Sequence, residues 1–289
     1  MHTPVMLNEV IEHLDIKPGN KIIDATLNGG GHSSGILEKY PDVKILGIEW
    51  DPDIFQKFQE SEVASKMVAV NDSYTNLKKI VQEKGFNPDG VLFDLGLSSW
   101  HYESKRGFSF RKDEVLDMRF NPKITETTAA DIVNKTAPLE LEGIIREYGE
   151  ERFARQIAKA IVEARRKTPI VTTLDLVRVI GEAVPEGYKR RKIHFATKTF
   201  QALRIAVNGE LENVRAGIKA AIEVLNPGGR LVVISFQGLE DKIVKEIFKE
   251  KSKAGTIKLP HKGTIKPKWE EVKNNPRARS AKMKIAEKV

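Results

Sequence analysis

Residues 21–50 read KIIDATLNGGGHSSGILEKYPDVKILGIEW. Two apolar runs, 21–26 and 44–50, flank a glycine-rich turn, Asn28-Gly29-Gly30-Gly31, and a segment with helical spacing over 32–40. Short runs rich in Ile and Leu, bounded by turn residues and separated by a helix, predict a strand–helix–strand unit with parallel strands. The rhythm continues with a helix over 52–60 opened by Asp51 and Pro52, a strand over 66–70, a helix over 75–84 and a strand over 90–95. It returns with a helix over 210–225, the turn Asn226-Pro227-Gly228-Gly229, a strand over 230–236 and a helix over 239–249. Two further strands are predicted near 256–259 and 281–287. Thr3 and Pro4 read as the N-cap and first helical residue of a helix lined by Val10, Ile11 and Leu14. The expected fold class is α/β, a doubly wound Rossmann-like sheet with helices on both faces.

Between residues 104 and 206 the spacing is helical and no convincing strand is found. A helical domain over 104–206 is therefore predicted as an insertion in a discontinuous α/β domain, 1–103 with 207–289.

Composition removes several classes of chemistry. The 289 residues include no cysteine, which excludes disulfides, thiolate metal sites and cysteine nucleophiles. The longest apolar run, near 231–236, is far shorter than a membrane helix requires. The N-terminal residues lack the pattern of a signal peptide, so a cytoplasmic protein without membrane association is expected. The net charge of +8 is unevenly spread. Residues 242–289 carry 15 basic and 5 acidic side chains, and residues 104–206 carry 21 and 14, whereas the remainder is acidic. Basic regions on an acidic body suggest a polyanionic partner, with ordinary surface charge as the alternative.

The stretch from Asp24 to Ser33 lies at a strand-to-helix junction, where glycines admit a ligand close to the backbone and the helix presents unpaired N–H groups. Glu49 ends the next strand, a position from which an acid grips both ribose hydroxyls of an adenosine cofactor. Two familiar phosphate-binding patterns are absent: the third glycine of G-x-G-x-x-G, and G-x-x-x-x-G-K-[ST]. A cofactor without phosphate and with a cationic sulfonium, S-adenosylmethionine, suits Asp24, Glu49, Asp51 and Asp94 better than a nicotinamide dinucleotide does.

The order of residues from Asp94 (DLGLSSWH), then RGFSF at 106–110 and LDMR at 116–119, is specific. With HTPVM at 2–6, YGEERFA at 148–154, HFATKTFQALR at 194–204, NPGGRLVVISF at 226–236 and NPRARSAK at 275–282, the chain resembles throughout the bacterial small-subunit ribosomal RNA cytosine N4-methyltransferases. That resemblance implies a class I methyltransferase sheet with a helical insertion, S-adenosylmethionine as cofactor, and methylation of a cytosine amine in the decoding centre of 16S rRNA. It assigns cofactor contacts to Gly30, Gly31, His32, Glu49, Tyr74, Asp94 and His101. Four positions depart from the family pattern. Asn28 stands for a glycine, Glu49 for an aspartate, His101 for a glutamine, and Gln237-Gly238 for His-Ser.

A cytosine amine is a poor nucleophile because its lone pair is delocalised, so the reaction needs in-line positioning and a proton acceptor. Asp94 is the first candidate at the reacting atoms, with a cofactor contact alone as its alternative. Asp117 and Arg119 are candidates for orienting the base, or form an internal brace. Ser98 and Ser99 bond the base edge or cap a turn. For RNA, a helix over 147–166 is expected to present Arg152, Arg155, Lys159 and Arg166 on one stripe, opposite Phe153, Ile157, Ile161 and Ala164. Lys189, Arg190, Arg191 and Lys192, followed by His194 and Phe195, combine phosphate-binding cations with rings that stack on a splayed base. Pro276-Arg277-Ala278-Arg279 is a third RNA candidate. The expected partner is 16S rRNA within the 30S subunit; oligomeric state is open, a homodimer included. The six histidines form no metal-ligating pattern, and no metal is expected. The rival functions are a non-catalytic RNA-binding or ribosome-assembly factor and a nicotinamide oxidoreductase.

Overall fold

The computed structural model describes residues 4–289. In chain order the elements begin with helix α1 (Leu7–His13), strand β1 (Lys21–Asp24), α2 (Gly31–Lys39), β2 (Lys44–Glu49), α3 (Pro52–Gln59), β3 (Val68–Asn71), α4 (Leu77–Lys84) and β4 (Gly90–Asp94). Seven helices follow: α5 (Ser99–Glu103), α6 (Ala129–Lys135), α7 (Pro138–Gly149), α8 (Ala154–Arg165), α9 (Thr173–Ala183), α10 (Glu186–Lys189) and α11 (Thr197–Asn208). The chain ends with α12 (Glu210–Val224), β5 (Arg230–Ser235), α13 (Gly238–Lys253), β6 (Ile257–Lys258), α14 (Trp269–Asn274) and β7 (Lys282–Lys288).

The chain divides into two compact units, Met1–Gly96 with Leu211–Val289, and Leu97–Glu210. These borders differ from 103/104 and 206/207 for identifiable reasons. Leu97 packs on the core of the helical unit, and Arg204 forms an ion pair with Glu210 at 2.7 Å, holding the start of α12 in that unit.

In the first unit the described strands form one sheet in the order β3-β2-β1-β4-β5-β7-β6. The pairs among β1 to β5 are parallel, and β7 runs antiparallel to β5 and β6. This is a Rossmann-like, doubly wound sheet. Its core follows from the two-residue period of a strand. Ile22, Ile45, Leu92 and Val232 pack on one face with Val10 and Ile36, while Ile23, Leu46, Val91 and Val233 pack on the other with Ile80, Ile218 and Ile247. Each such buried aliphatic side chain contributes on the order of 2 kcal/mol.

Two local expectations at helix starts are corrected. Thr3 lies outside the described residues, and α1 starts only at Leu7, after Met6 in left-handed conformation (φ 56°). The helix expected over 75–84 opens with a 3-10 turn, Tyr74–Asn76, capped by the Ser73 hydroxyl, before α4 begins. Asp51 does cap α3, accepting from the N–H groups of Asp53 and Ile54.

The helical unit has its own core, in which Leu141, Ile145, Ile157, Ile161, Leu176 and Leu203 are buried. The single helix expected over 147–166 is two. α7 ends at Gly149, after which Glu150 turns left-handed (φ 49°) and the buried Glu151 carboxylate accepts the N–H of Phe153. Gly149 itself packs so close to Lys198 that a Cβ there would lie 2.6 Å from its carbonyl oxygen. Arg152 therefore lies between helices. An isolated antiparallel bridge, Val115 with Thr172, is the strand-like feature described within the unit.

Candidate active site

The carboxyl ends of β1 and β4 lie side by side where the strand order reverses, the place at which doubly wound sheets bind ligands. The turn after β1 is tight and packed against the core. Asn28 and Gly30 are both left-handed, with φ of 50° and 72°. A Cβ on Gly30 would lie 2.7 Å from the Phe58 ring, so glycine is required on steric grounds as well. Asparagine tolerates this conformation better than most residues, and the Asn28 side chain bonds the Thr26 carbonyl at 3.0 Å. The departure from glycine is thus accommodated.

Both carboxylate oxygens of Glu49 have backbone partners. Its carboxylate accepts the N–H of Asn28 at 2.8 Å through Oε2 and that of Asp51 at 2.8 Å through Oε1. The longer arm ties β2 to the glycine turn. Burial pushes its pKa up to about 8; the Asp51 N–H opposes the rise and the neighbouring carboxylates of Asp51 and Asp24 add to it.

Asp24, His32 and Asp94 form the centre of the cluster. Asp24 is buried and accepts from the Ser33 hydroxyl at 2.8 Å; burial raises its pKa although His32 and Ser33 oppose the rise. His32 bonds the Val5 carbonyl oxygen through Nε2 at 2.9 Å, and its Nδ1 lies 3.6 Å from Asp94 Oδ2. The Asp94 N–H donates to the Thr26 hydroxyl at 2.6 Å. The other carboxylate oxygen, Asp94 Oδ1, is buried without a hydrogen-bond partner. Burial raises the Asp94 pKa to about 6, with His32 lowering it and Asp24 and Glu240 raising it.

Glu240, Thr26 and Ser33 join the site although the sequence does not mark them. Glu240 is buried and its Oε2 accepts the N–H groups of Phe236 and Gln237. Gln237, where the family has histidine, returns a bond from Nε2 to Glu240 Oε1 at 2.9 Å and caps α13. Tyr74 packs edge-on against Phe93, with ring centres 5.3 Å apart, and against Gly217. Its ring face is thus partly committed to the core rather than wholly presented to a ligand.

In the helical unit Asp117 and Arg119 form a closed, bidentate pair. Arg119 Nε and Nη2 donate to the two Asp117 oxygens at 2.8 and 2.7 Å, and Nη1 donates to the Thr125 carbonyl at 3.0 Å. Burial alone would raise the Asp117 pKa, but the Arg119 hydrogen bonds and charge outweigh it and hold it low. Asn208 fastens the same loop, bonding the Phe120 N–H and the Met118 carbonyl. The arrangement is an internal brace. His101 is packed within the same unit: its Nδ1 accepts the Ser98 N–H at 3.1 Å, and its ring lies 5.2 and 4.9 Å from those of Phe108 and Phe120. Burial, with the charges of Arg106 and Arg204, lowers its pKa to about 3. Ser98 caps α5, accepting from Trp100.

The expected RNA residues separate by environment. Arg155, Arg190 and Lys192 are exposed. Lys159 faces Glu163 at 3.8 Å, and Lys189 is bound to Glu186 at 2.5 Å. Arg152 lies over the Phe153 and Tyr188 rings and Arg191 over Tyr188. His194 stacks on Phe110 and Phe195, with ring centres 4.6 and 4.3 Å apart. Phe195 is half-buried against the helical core, so it is not a free stacking platform.

Among the described residues no group of three or more His, Asp and Glu side chains is placed to hold a metal ion, and no helix is long and apolar enough to cross a membrane. The family model described as the MraW methylase family matches residues 1–289. A protein of Persephonella marina called ribosomal RNA small subunit methyltransferase H is 42% identical, covering 100% of this chain and 99% of its own. Proteins of the same name from Carboxydothermus hydrogenoformans and Dictyoglomus thermophilum are 42% and 46% identical, each over 100% of this chain and over 98% and 97% of their own. Among solved structures the likeness is more distant: NSun6 from Pyrococcus horikoshii superposes with a TM-score of 0.47 at 14% identity, over 100% of this chain and 52% of that one.

Proposed function

The chain belongs to the MraW methylase family, and on that premise we propose that it methylates the N4 amine of a decoding-centre cytosine in 16S rRNA, within the 30S subunit and in the cytoplasm, using S-adenosylmethionine. The observation that carries the reading is the buried, unpartnered Oδ1 of Asp94 at the end of β4.

The residues present fit the cofactor. Asp24 and Glu49 are buried carboxyl groups and Asp94 is half-buried beside Asp24. His32 opposes the charge of Asp24 and Asp94, and a cationic ligand offsets the mutual repulsion of the carboxylates. Gly30 and Gly31 lead into α2, and the N–H groups that begin it are donors for a carboxylate. When bound, S-adenosylmethionine supplies a methyl carbon activated by the sulfonium. The protein's task is then to hold the amine in line and to take up its proton. Asp94 serves both ends. Its free oxygen accepts an amine N–H, and a pKa near 6 leaves it ionised at neutral pH while more basic than an ordinary aspartate. Asp117 and Arg119, spent on each other, brace the loop that carries them. Arg155, Arg190 and Lys192 serve as phosphate contacts.

The departures at Asn28, His101 and Gln237-Gly238 are the motive for a non-catalytic assembly factor as the alternative. The side chains of Asn28, His101 and Gln237 each have a partner within the fold, which supports the enzyme reading over it. The test is transfer of labelled methyl groups to 30S subunits lacking decoding-centre methylation, followed by nucleoside mass analysis. N4-methylcytosine is the expected product. No transfer, in protein that binds both cofactor and subunits, overturns the reading.

A further inference from the structure

The segment between β6 and β7, residues 259–281, carries Lys262, Lys266, Lys268, Lys273, Arg277 and Arg279 against two acids, Glu270 and Glu271. The fold takes one of those acids out of the balance, because Glu271 Oε1 accepts the Met6 N–H at 2.6 Å. Ile265 is pinned to Met283 by an antiparallel bridge, and Ala278, fully buried, anchors the turn between Arg277 and Arg279. The segment is thus held at both ends while its cations remain outside. Lys262, Lys266, Lys268, Lys273 and Arg279 are exposed, and among the described residues none of these five has an ion-pair partner.

Trp269 opens α14 with 72% of its surface exposed, against 40% for Tyr102. Its ring makes no contact with another ring or cation among the described residues. Trp269 and Lys273 are four residues apart in one helix and so share a face, whereas Glu271, bound to Met6, points away from it. Lys266 and Lys268 immediately precede the indole. A large exposed ring costs solvation unless it has a partner, and three flanking cations without ion-pair partners repel one another unless an anion comes between them. A polyanion with flat, stackable bases meets both demands. An apolar protein surface meets only the first.

We propose that Lys266, Lys268, Trp269 and Lys273 form a single-stranded RNA platform, on which the indole stacks on an unpaired base and the lysines contact the flanking phosphates. The platform belongs to the sheet-bearing unit, and so would add a second RNA contact to that assigned to the helical unit. The inference rests on the reading of the protein as an rRNA methyltransferase.

The experiment measures binding of full-length protein to transcribed 16S rRNA and to undermethylated 30S subunits over a range of KCl, alongside cofactor binding. Trp269→Ala is expected to weaken rRNA binding by about tenfold or more, and Trp269→Phe to retain most of it. Lys266→Gln with Lys268→Gln is expected to reduce the salt slope by about 2. Cofactor affinity should be unchanged in all three, which shows that each variant is folded. Unaltered rRNA affinity and salt slope, in variants of a wild-type protein that binds rRNA, overturn the platform alone. Loss confined to 30S subunits, with naked rRNA bound normally, assigns the surface to a ribosomal protein and also overturns it. A wild-type protein that binds neither rRNA nor subunits overturns the platform together with the methyltransferase reading.

Discussion

His32 Nδ1 lies 3.6 Å from Asp94 Oδ2, and the same ring is held from its other side by the Val5 carbonyl oxygen at 2.9 Å from Nε2. The imidazole is thereby fixed between the N-terminal segment and the end of β4. Its position turns one Asp94 oxygen toward the ring and leaves the other, Oδ1, without a partner. A hydrogen bond to an amine is the natural completion of that carboxylate.

Replacing Asp94 with Asn tests this directly. Asparagine keeps the size but lacks the basicity, so methyl transfer should fall about a hundredfold or more. Stability should hold or rise, because burial disfavours the charge being removed. Single-turnover transfer and a thermal melt check both halves. Wild-type turnover would remove Asp94 from proton uptake.

The pH dependence follows from the same cluster. Asp24, Glu49 and Asp94 are all raised, Asp94 to about 6 and Glu49 to about 8, with burial the main cause. A carboxyl group whose pKa is higher in the folded protein than in the unfolded one favours folding at low pH. That contribution is whole below about pH 4 and is lost as pH rises through 6 and then 8. Without cofactor, the melting temperature should therefore decline across this window. S-adenosylmethionine should flatten the decline, bind more tightly as pH rises, and release protons on binding. Calorimetry in two buffers of different ionisation enthalpy measures that release. A melting temperature independent of pH between 5 and 8.5, with no proton release, would contradict the cluster's electrostatics.

Much of this site was legible because its residues follow a strand period. Asp24, Glu49 and Asp94 each close an apolar run, and a run buried on both faces ends where the sheet does. Thr26 and Ser33 were not legible, since a hydroxyl two residues from Asp24 gives no sign that it receives the N–H of Asp94, 68 positions away. The helix break at Gly149 was hidden for a related reason. Apolar spacing continues across it from Ile145 to Ile157, whereas the interruption rests on the left-handed Glu150 and on the Glu151 carboxylate, one of whose partners, Tyr188, is 37 positions away. Asp117 and Arg119 show the converse, a motif whose chemistry is spent on itself.

The break between α7 and α8 gives a stability prediction. Glu151 is 1% exposed, and accepts the Tyr188 hydroxyl at 2.6 Å through Oε2 and the Phe153 N–H at 2.9 Å through Oε1. Tyr188→Phe removes a donor from a buried carboxylate and should cost about 1–3 kcal/mol. A urea midpoint for the full chain measures it. An unchanged midpoint would mean that the pair contributes nothing net to the helical unit.

RNA affinity should discriminate among neighbouring cations that look alike in sequence. Lys189 is already matched by Glu186 at 2.5 Å, so exchanging it for Gln removes little charge available to phosphate. Arg190 and Lys192 are exposed next to it, and among the described residues neither has an ion-pair partner. Removing one cation from a phosphate should lower the slope of log affinity against log salt by about 1. Arg190→Gln and Lys192→Gln together should therefore reduce the slope for 16S rRNA by about 2, whereas Lys189→Gln should leave it nearly unchanged. Filter binding over a salt series distinguishes the two patterns. Equal effects at all three positions would show that the Lys189–Glu186 pair opens when RNA binds; no effect at any would exclude this basic run from the RNA interface.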